Sequence, residues 1–188
     1  MPTAPSPTRV RLLDSALQRF ANDGPLATTL DDVRGDAGTS VGAVYHHFPD
    51  KQALYDAVRE RTLADFQEAF AAELEAHADA ESGVRAIVAF QVRWCADNPA
   101  AAQLLLSGRP SRAELMNREF FARIRGWWRL HAHYGAVRNL DLLVLYALWL
   151  GPSMELTRHW LTADAPLPRP SQINTLADAA WAALKEPE

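Results

Sequence analysis

The sequence predicts an all-α protein of about nine helices, in which an N-terminal three-helix unit is followed by a larger helical one. Three observations predict it. Apolar residues in every long segment recur at the helical period, and no stretch alternates convincingly at period two. Hydroxyl and carboxylate caps, prolines and glycines fall where such helices would start and stop. The chain holds a single cysteine, Cys95, so no intrachain disulfide frames the fold and packing alone must hold it.

Ser6 supplies a hydroxyl cap and Pro7 suits a first helical position. Behind them Leu13, Ala16, Leu17 and Phe20 make one apolar face, and Gly24-Pro25 ends the helix. Thr29 opens a short second helix with Leu30, Val33 and Ala37 inward and Asp32 three residues after the cap. Gly38 breaks it. Ser40 to His47 forms a third, stopped by Phe48-Pro49, and Asp50 caps a long fourth that runs from Lys51 to about His77. After a break at Asp79 to Gly83, Val84 to Ala96 makes a fifth helix. Asn98-Pro99 starts a short sixth through Leu106, and Gly108 to Pro110 turns the chain. Ser111 with Glu114 matches a capping box that begins a seventh, ending near Tyr134. An eighth spans Leu140 to Leu161, bent where Pro152 lacks a backbone donor. Ala163 to Pro170 reads as a proline-rich loop, and the last helix begins at Ser171. The expected organisation is a flexible tail over residues 1–8, a small helical unit over 9–54 and a larger one over 55–188.

Composition narrows the function classes. With 48% apolar and 22% charged residues the chain reads as globular. Its longest apolar stretch, Leu142 to Pro152, is shorter than the roughly 20 residues a membrane span needs. The Pro- and Thr-rich start has no apolar core and does not read as a signal peptide, and the single cysteine makes the cytoplasm the expected compartment. Catalysis has no support. His131 and His133 are two apart and face different ways on a helix. His46-His47 has no Cys or carboxylate cluster of ligand spacing beside it, so no metal site is expected. Cys95 is expected to be a buried, inert thiol. No nucleophile elbow, phosphate-cradling glycine loop or zinc-protease motif occurs. The net charge of −4, with five basic against six acidic residues among the first 51, does not by itself suggest nucleic acid.

Local pattern does. Two short helices joined by a tight turn at Gly38 fit a helix-turn-helix, whose second helix lies in the major groove of DNA while the first crosses the backbone. A groove-facing surface must come close to the bases, and here it is built from the small residues Thr39, Ser40, Gly42 and Ala43. Tyr45, His46, His47 and Lys51 flank it with hydroxyl, imidazole and ammonium donors suited to phosphates. Val44 and Phe48 are left to pin the helix onto Leu13, Phe20 and Val33. Three features run against the pattern. Gly35 weakens its helix by roughly 1 kcal/mol relative to alanine. Asp31, Asp32 and Asp36 make that helix acidic beside phosphates. Val41 and Ala43 offer only apolar contact, for instance to thymine methyl groups.

From Arg9 to Val58 the chain resembles the DNA-binding domain of the TetR family. The resemblance rests on Leu12, Ala16, Phe20, Gly24, the Thr28-Thr29 pair, Val33, the Ala37-Gly38 turn, Ser40-Val41-Gly42, Tyr45, His47-Phe48, Lys51 and Leu54. It implies that Thr29, Ser40, Gly42, Tyr45, His46, His47 and Lys51 meet DNA, mainly its backbone. It also implies a homodimer on a palindromic double-stranded operator, a repressor released by a small, largely apolar effector of unknown identity, and no cofactor.

All six tryptophans lie beyond residue 90. An aromatic-rich helical domain can enclose an apolar ligand, with Phe90, Trp94, Phe121, Trp128, Tyr146 and Trp149 as lining and Arg93, Arg125 and His131 as polar groups; plain core packing is the alternative. The last two helices look like the family's dimer-forming pair, with Leu142, Leu145, Trp149, Ile173, Leu176, Ala180, Trp181 and Leu184 as the expected interface. Two other readings stay open. One is a DNA-binding regulator that answers to no small molecule or that activates; the other is a helical ligand-binding protein without DNA function.

Overall fold

The computed structural model describes residues 6–107, 118–162 and 165–187, and every regular element among them is a helix. In chain order these are α1 (Pro7–Asn22), α2 (Gly24–Ala27), α3 (Leu30–Asp36), α4 (Val41–His47), α5 (Lys51–Glu75), α6 (Ala80–Asp97), α7 (Pro99–Ser107), α8 (Arg118–His133), α9 (Leu142–Trp149), α10 (Gly151–Thr162) and α11 (Pro170–Leu184). The chain divides into two compact units. One comprises the residues up to 64 with α7 from residue 100; the other holds residues 65–99 and everything described after α7.

The caps that the sequence offers set the first unit. Ser6 Oγ accepts from Arg9 N at 3.2 Å, Thr29 Oγ1 from Asp32 N at 3.1 Å, and Ser40 Oγ from Ala43 N at 3.2 Å. Asp50 Oδ1 takes Ala53 N at 2.8 Å. Leu12, Leu13, Ala16 and Phe20 of α1 then bury against Val33, Val44, Phe48, Leu54 and Val58. Two features differ from expectation. Gly24-Pro25 ends α1 but also opens the extra turn α2, because Gly24 adopts φ +80° and a proline in a first turn has no N–H to leave unpaired. And α7 joins this unit: Leu104 is buried in its core, and Arg59 Nη1 donates to Leu104 O at 2.8 Å.

The second unit is built around α6. Asp79 takes Ser82 N at 2.8 Å, so α6 starts at Ala80, four residues before the expected Val84. Gly83, expected in a break, lies inside the helix, where an added Cβ would stand 2.5 Å from Cζ2 of Trp127. The expected turn at Gly108 to Pro110 and the capping box of Ser111 and Glu114 fall outside the described residues. The single helix expected to bend at Pro152 is two, α9 and α10, parted at Leu150. Pro152 supplies no donor to the junction, although Leu150 N still reaches Tyr146 O and Met154 N reaches Leu150 O. This break and α2 account for eleven described helices against nine expected. Past α8, Val137 bridges Lys185, and Arg138 N donates to Leu184 O, tying the turn before α9 to the end of α11.

The residues expected at a dimer interface separate into two groups. Leu145, Trp149, Ala180 and Leu184 are buried in this unit's own core, and Ile173, Leu176 and Trp181 are partly buried. Leu142 is exposed, and with it Leu143 (74% exposed), Val144 and Tyr146. Because α9 is apolar nearly all round, its periodicity does not say which side turns inward; the packing of Leu145 and Trp149 decides. No described helix is long and apolar enough to cross a membrane.

Candidate nucleic-acid interface

Helix α4 is held from one side. Val44 (1% exposed) and Phe48 (3%) sit in the core of the first unit, and Arg9 covers the Phe48 ring at 5.4 Å. The opposite side presents Ser40, Val41, Gly42, Tyr45 and His46 to solvent, with Thr39, Ala43 and His47 half-buried at its edges. An added Cβ at Gly42 would meet nothing within 4 Å, so the fold itself does not demand glycine there. Gly38 supplies the tight turn before α4 with φ +59°. The Ser40 hydroxyl accepts from the helix and keeps its own hydrogen to donate outward. Thr29, by contrast, gives its hydroxyl hydrogen to Asp32 Oδ2 at 2.6 Å.

The imidazoles differ. His47 Nε2 lies 3.3 Å from Ser6 Oγ, and its ring is held below the usual histidine pKa by desolvation, then by His46 and Arg9. At pH 7 it therefore offers an anion a dipole and not a full charge. A proton NMR titration should place the His47 midpoint below 6.5, and His46→Gln should move it upward; a midpoint at or above 6.5 would contradict this surroundings argument.

The acidic residues of α3 are all engaged within the unit. Asp36 takes a two-pronged bond from Arg19, Nε at 2.5 Å and Nη2 at 2.9 Å, which lowers its carboxyl pKa. Asp31 pairs with Arg34 at 2.7 Å. Asp32 accepts from Thr29 and its carboxyl is lowered mainly by that hydroxyl. These carboxylates therefore meet cations and donors of their own domain, and the acidity read from the sequence is locally balanced.

Residues 12–58 match the family described as bacterial regulatory proteins, tetR family. The regulator UidR of Escherichia coli K12 is 36% identical over 72 residues, covering 36% of this chain and 37% of UidR. The repressor KstR2 of Rhodococcus jostii is 36% identical over 78 residues, 39% of this chain and 38% of KstR2. The matched stretch thus spans little more than a third of these relatives. Over the whole length, the crystal structure of a TetR family transcription regulator from Marinobacter aquaeolei superposes with a TM-score of 0.81, covering 96% of both chains at 17% identity. Residues 12–58 thus carry a tetR-family domain, and the chain shares the fold of TetR-family structures. These relatives are named as transcription regulators, not enzymes.

The residues expected around a ligand are distributed unevenly. Trp128 and Trp149 are buried with their indole N–H groups given to Arg138 O and Val84 O, each at 3.0 Å. His131 is buried too, its ring nitrogens 2.9 Å from Trp127 O and 3.1 Å from Ala78 O. Phe90 and Trp94 gather on Phe66, at 6.0 and 4.9 Å between centroids, and Phe121 contacts Phe120. Tyr146 donates to Met154 Sδ. Arg93 and Arg125 are exposed, Arg93 beside Glu73. Phe66, Phe70, Phe120 and Trp127, which link this cluster, are not among the residues expected as ligand lining, since only packing shows which aromatics meet. An open cleft of about 550 Å³, lined by His133, Arg138, Asn139 and Glu186 among others, uses none of the expected residues. Cys95 is buried and its thiol is pushed up to about 12 by that burial, which leaves it protonated and unreactive.

Proposed function

We propose that this chain is a DNA-binding transcriptional regulator that acts as a homodimer. Two α4 helices enter successive major grooves of a palindromic operator, with centres about 34–36 Å apart. It represses until a small, largely apolar ligand enters the C-terminal unit. The observation that carries the DNA reading is α4 itself. Val44 and Phe48 anchor it in the core, and it leaves Ser40, Gly42, Tyr45 and His46 open on a surface whose neighbouring carboxylates are already paired. The exposed Leu142, Leu143, Val144 and Tyr146 supply apolar area for a second copy. The aromatic cluster of the second unit supports an apolar ligand.

The test is selection of bound duplexes from a random pool, followed by titration at several salt concentrations. Enrichment of an inverted repeat, bound by a dimer with a steep negative salt slope, is expected; no enrichment and no salt dependence would remove the reading. Gly42→Ala gives a sharper check. It should stabilise the free protein by roughly 0.5–1 kcal/mol, because alanine is the better helix former and the site is open. The same methyl should weaken binding of the selected duplex, because it stands where the bases approach. Unchanged or tighter binding would mean that Gly42 does not face DNA.

A further inference from the structure

We propose that Lys51 serves DNA binding as a positioning residue and not as a phosphate contact, an inference that rests on the DNA-binding reading above. Its half-buried side chain places Nζ 3.1 Å from Leu26 O and 3.0 Å from Thr28 O. Those carbonyls sit in and just after α2, a helix of four residues, where carbonyl groups have no intrahelical partner. Thr28 is buried and directly precedes Thr29, which caps α3. Lys51 is the first residue of α5 and follows α4 by four residues. The ammonium therefore joins the chain just before the helix-turn-helix to the chain just after it, closing a loop that contains α3 and α4. Two of its three N–H bonds are used in that clasp. A phosphate would have to draw the group away from acceptors that hold it in the free protein, whereas the clasp leaves phosphates to the open donors of α4 and its edges.

The two roles differ in what salt does. A phosphate contact releases a counterion, so its loss lowers the slope of log affinity against log salt by about 0.9. Loss of the clasp weakens binding without changing that slope. The experiment compares the full-length chain with Lys51→Met on the duplex selected above, at a temperature where circular dichroism shows both fully folded. Amide hydrogen exchange is measured on the free proteins in parallel. Expected are a loss of affinity of about tenfold at every salt concentration, an unchanged slope and faster exchange through α3. A slope lowered by about 1 with exchange unchanged overturns the proposal, as does wild-type affinity in the folded variant, which would make Lys51 merely structural. Lys51→Gln is a milder second variant that drops the charge but keeps an N–H donor. The clasp predicts affinity between those of wild type and Lys51→Met at the same slope; equal loss of slope in both variants overturns it. If the wild type binds no duplex, the DNA reading fails, and the exchange measurement, which needs no DNA, separates that failure from the fate of the clasp.

Discussion

Trp149→Ala should destabilise the C-terminal unit by about 3–5 kcal/mol, a large part of what holds any domain of this size. The ring is 3% exposed and lies 5.4 Å from Trp128, 6.0 Å from Phe70 and 6.4 Å from Trp127 between centroids. Truncation would leave a cavity among rigid aromatic neighbours that have little freedom to close it. It would also remove the indole N–H bond to Val84 O at 3.0 Å, a carbonyl inside α6. Trp149→Phe restores most of the area but not that hydrogen bond, so about 0.5–1.5 kcal/mol of the loss should remain. Urea unfolding followed by circular dichroism separates the outcomes, provided that the transitions of the two units are fitted independently. A loss below about 1 kcal/mol for the alanine variant would show that the ring does not fill a packed core.

Gly83→Ala and Gly126→Ala should act in opposite directions, although both glycines lie inside helices. At Gly83 the new methyl would meet Trp127 Cζ2 at 2.5 Å. That ring has little room to retreat: its indole donates to His77 O at 3.2 Å and it packs on His131 at 4.0 Å between centroids. Overpacking of this kind costs about 1–3 kcal/mol. At Gly126, on the exposed side of α8, nothing lies within 4 Å, and alanine should gain roughly 1 kcal/mol from helix propensity. Thermal unfolding reads both. If Gly83→Ala were as stabilising as Gly126→Ala, the close approach of α8 to α6 would be wrong.

These contrasts show where the sequence was legible. Caps at Ser6, Thr29, Ser40 and Asp50 act through neighbours three residues away, so a linear reading locates them, and the inward face of α1 follows from its period. Of the small-residue face expected on α4, Ser40 and Gly42 are open, whereas Thr39 and Ala43 are half-buried and Val41 takes an open place. Tertiary facts were not legible. Asp36 looked like a liability beside phosphates because its partner, Arg19, is 17 residues away on another helix. Lys51 looked like a free cation because the carbonyls it serves lie 23 and 25 residues upstream. Asp79 was hidden in what read as a break, since Gly83 is a helix breaker in isolation and a close-packing position against Trp127 in the fold. Around α9 the sequence offered apolar residues on every side, and only the placement of Trp149 chose among them.

The paired carboxylates of α3 also bear on how such a reader would spend its time in a genome. A strongly cationic head clings to any stretch of double helix, because the attraction to phosphates ignores sequence. Here the carboxylates on Asp31 and Asp36 already occupy Arg34 and Arg19, so little surplus positive field extends from that helix. Random sites would then hold the protein briefly, and residence would depend on fit at the base edges. Weak adhesion of this kind raises the contrast between target and background, the quantity that counts when competing sites number about 10⁶ or more.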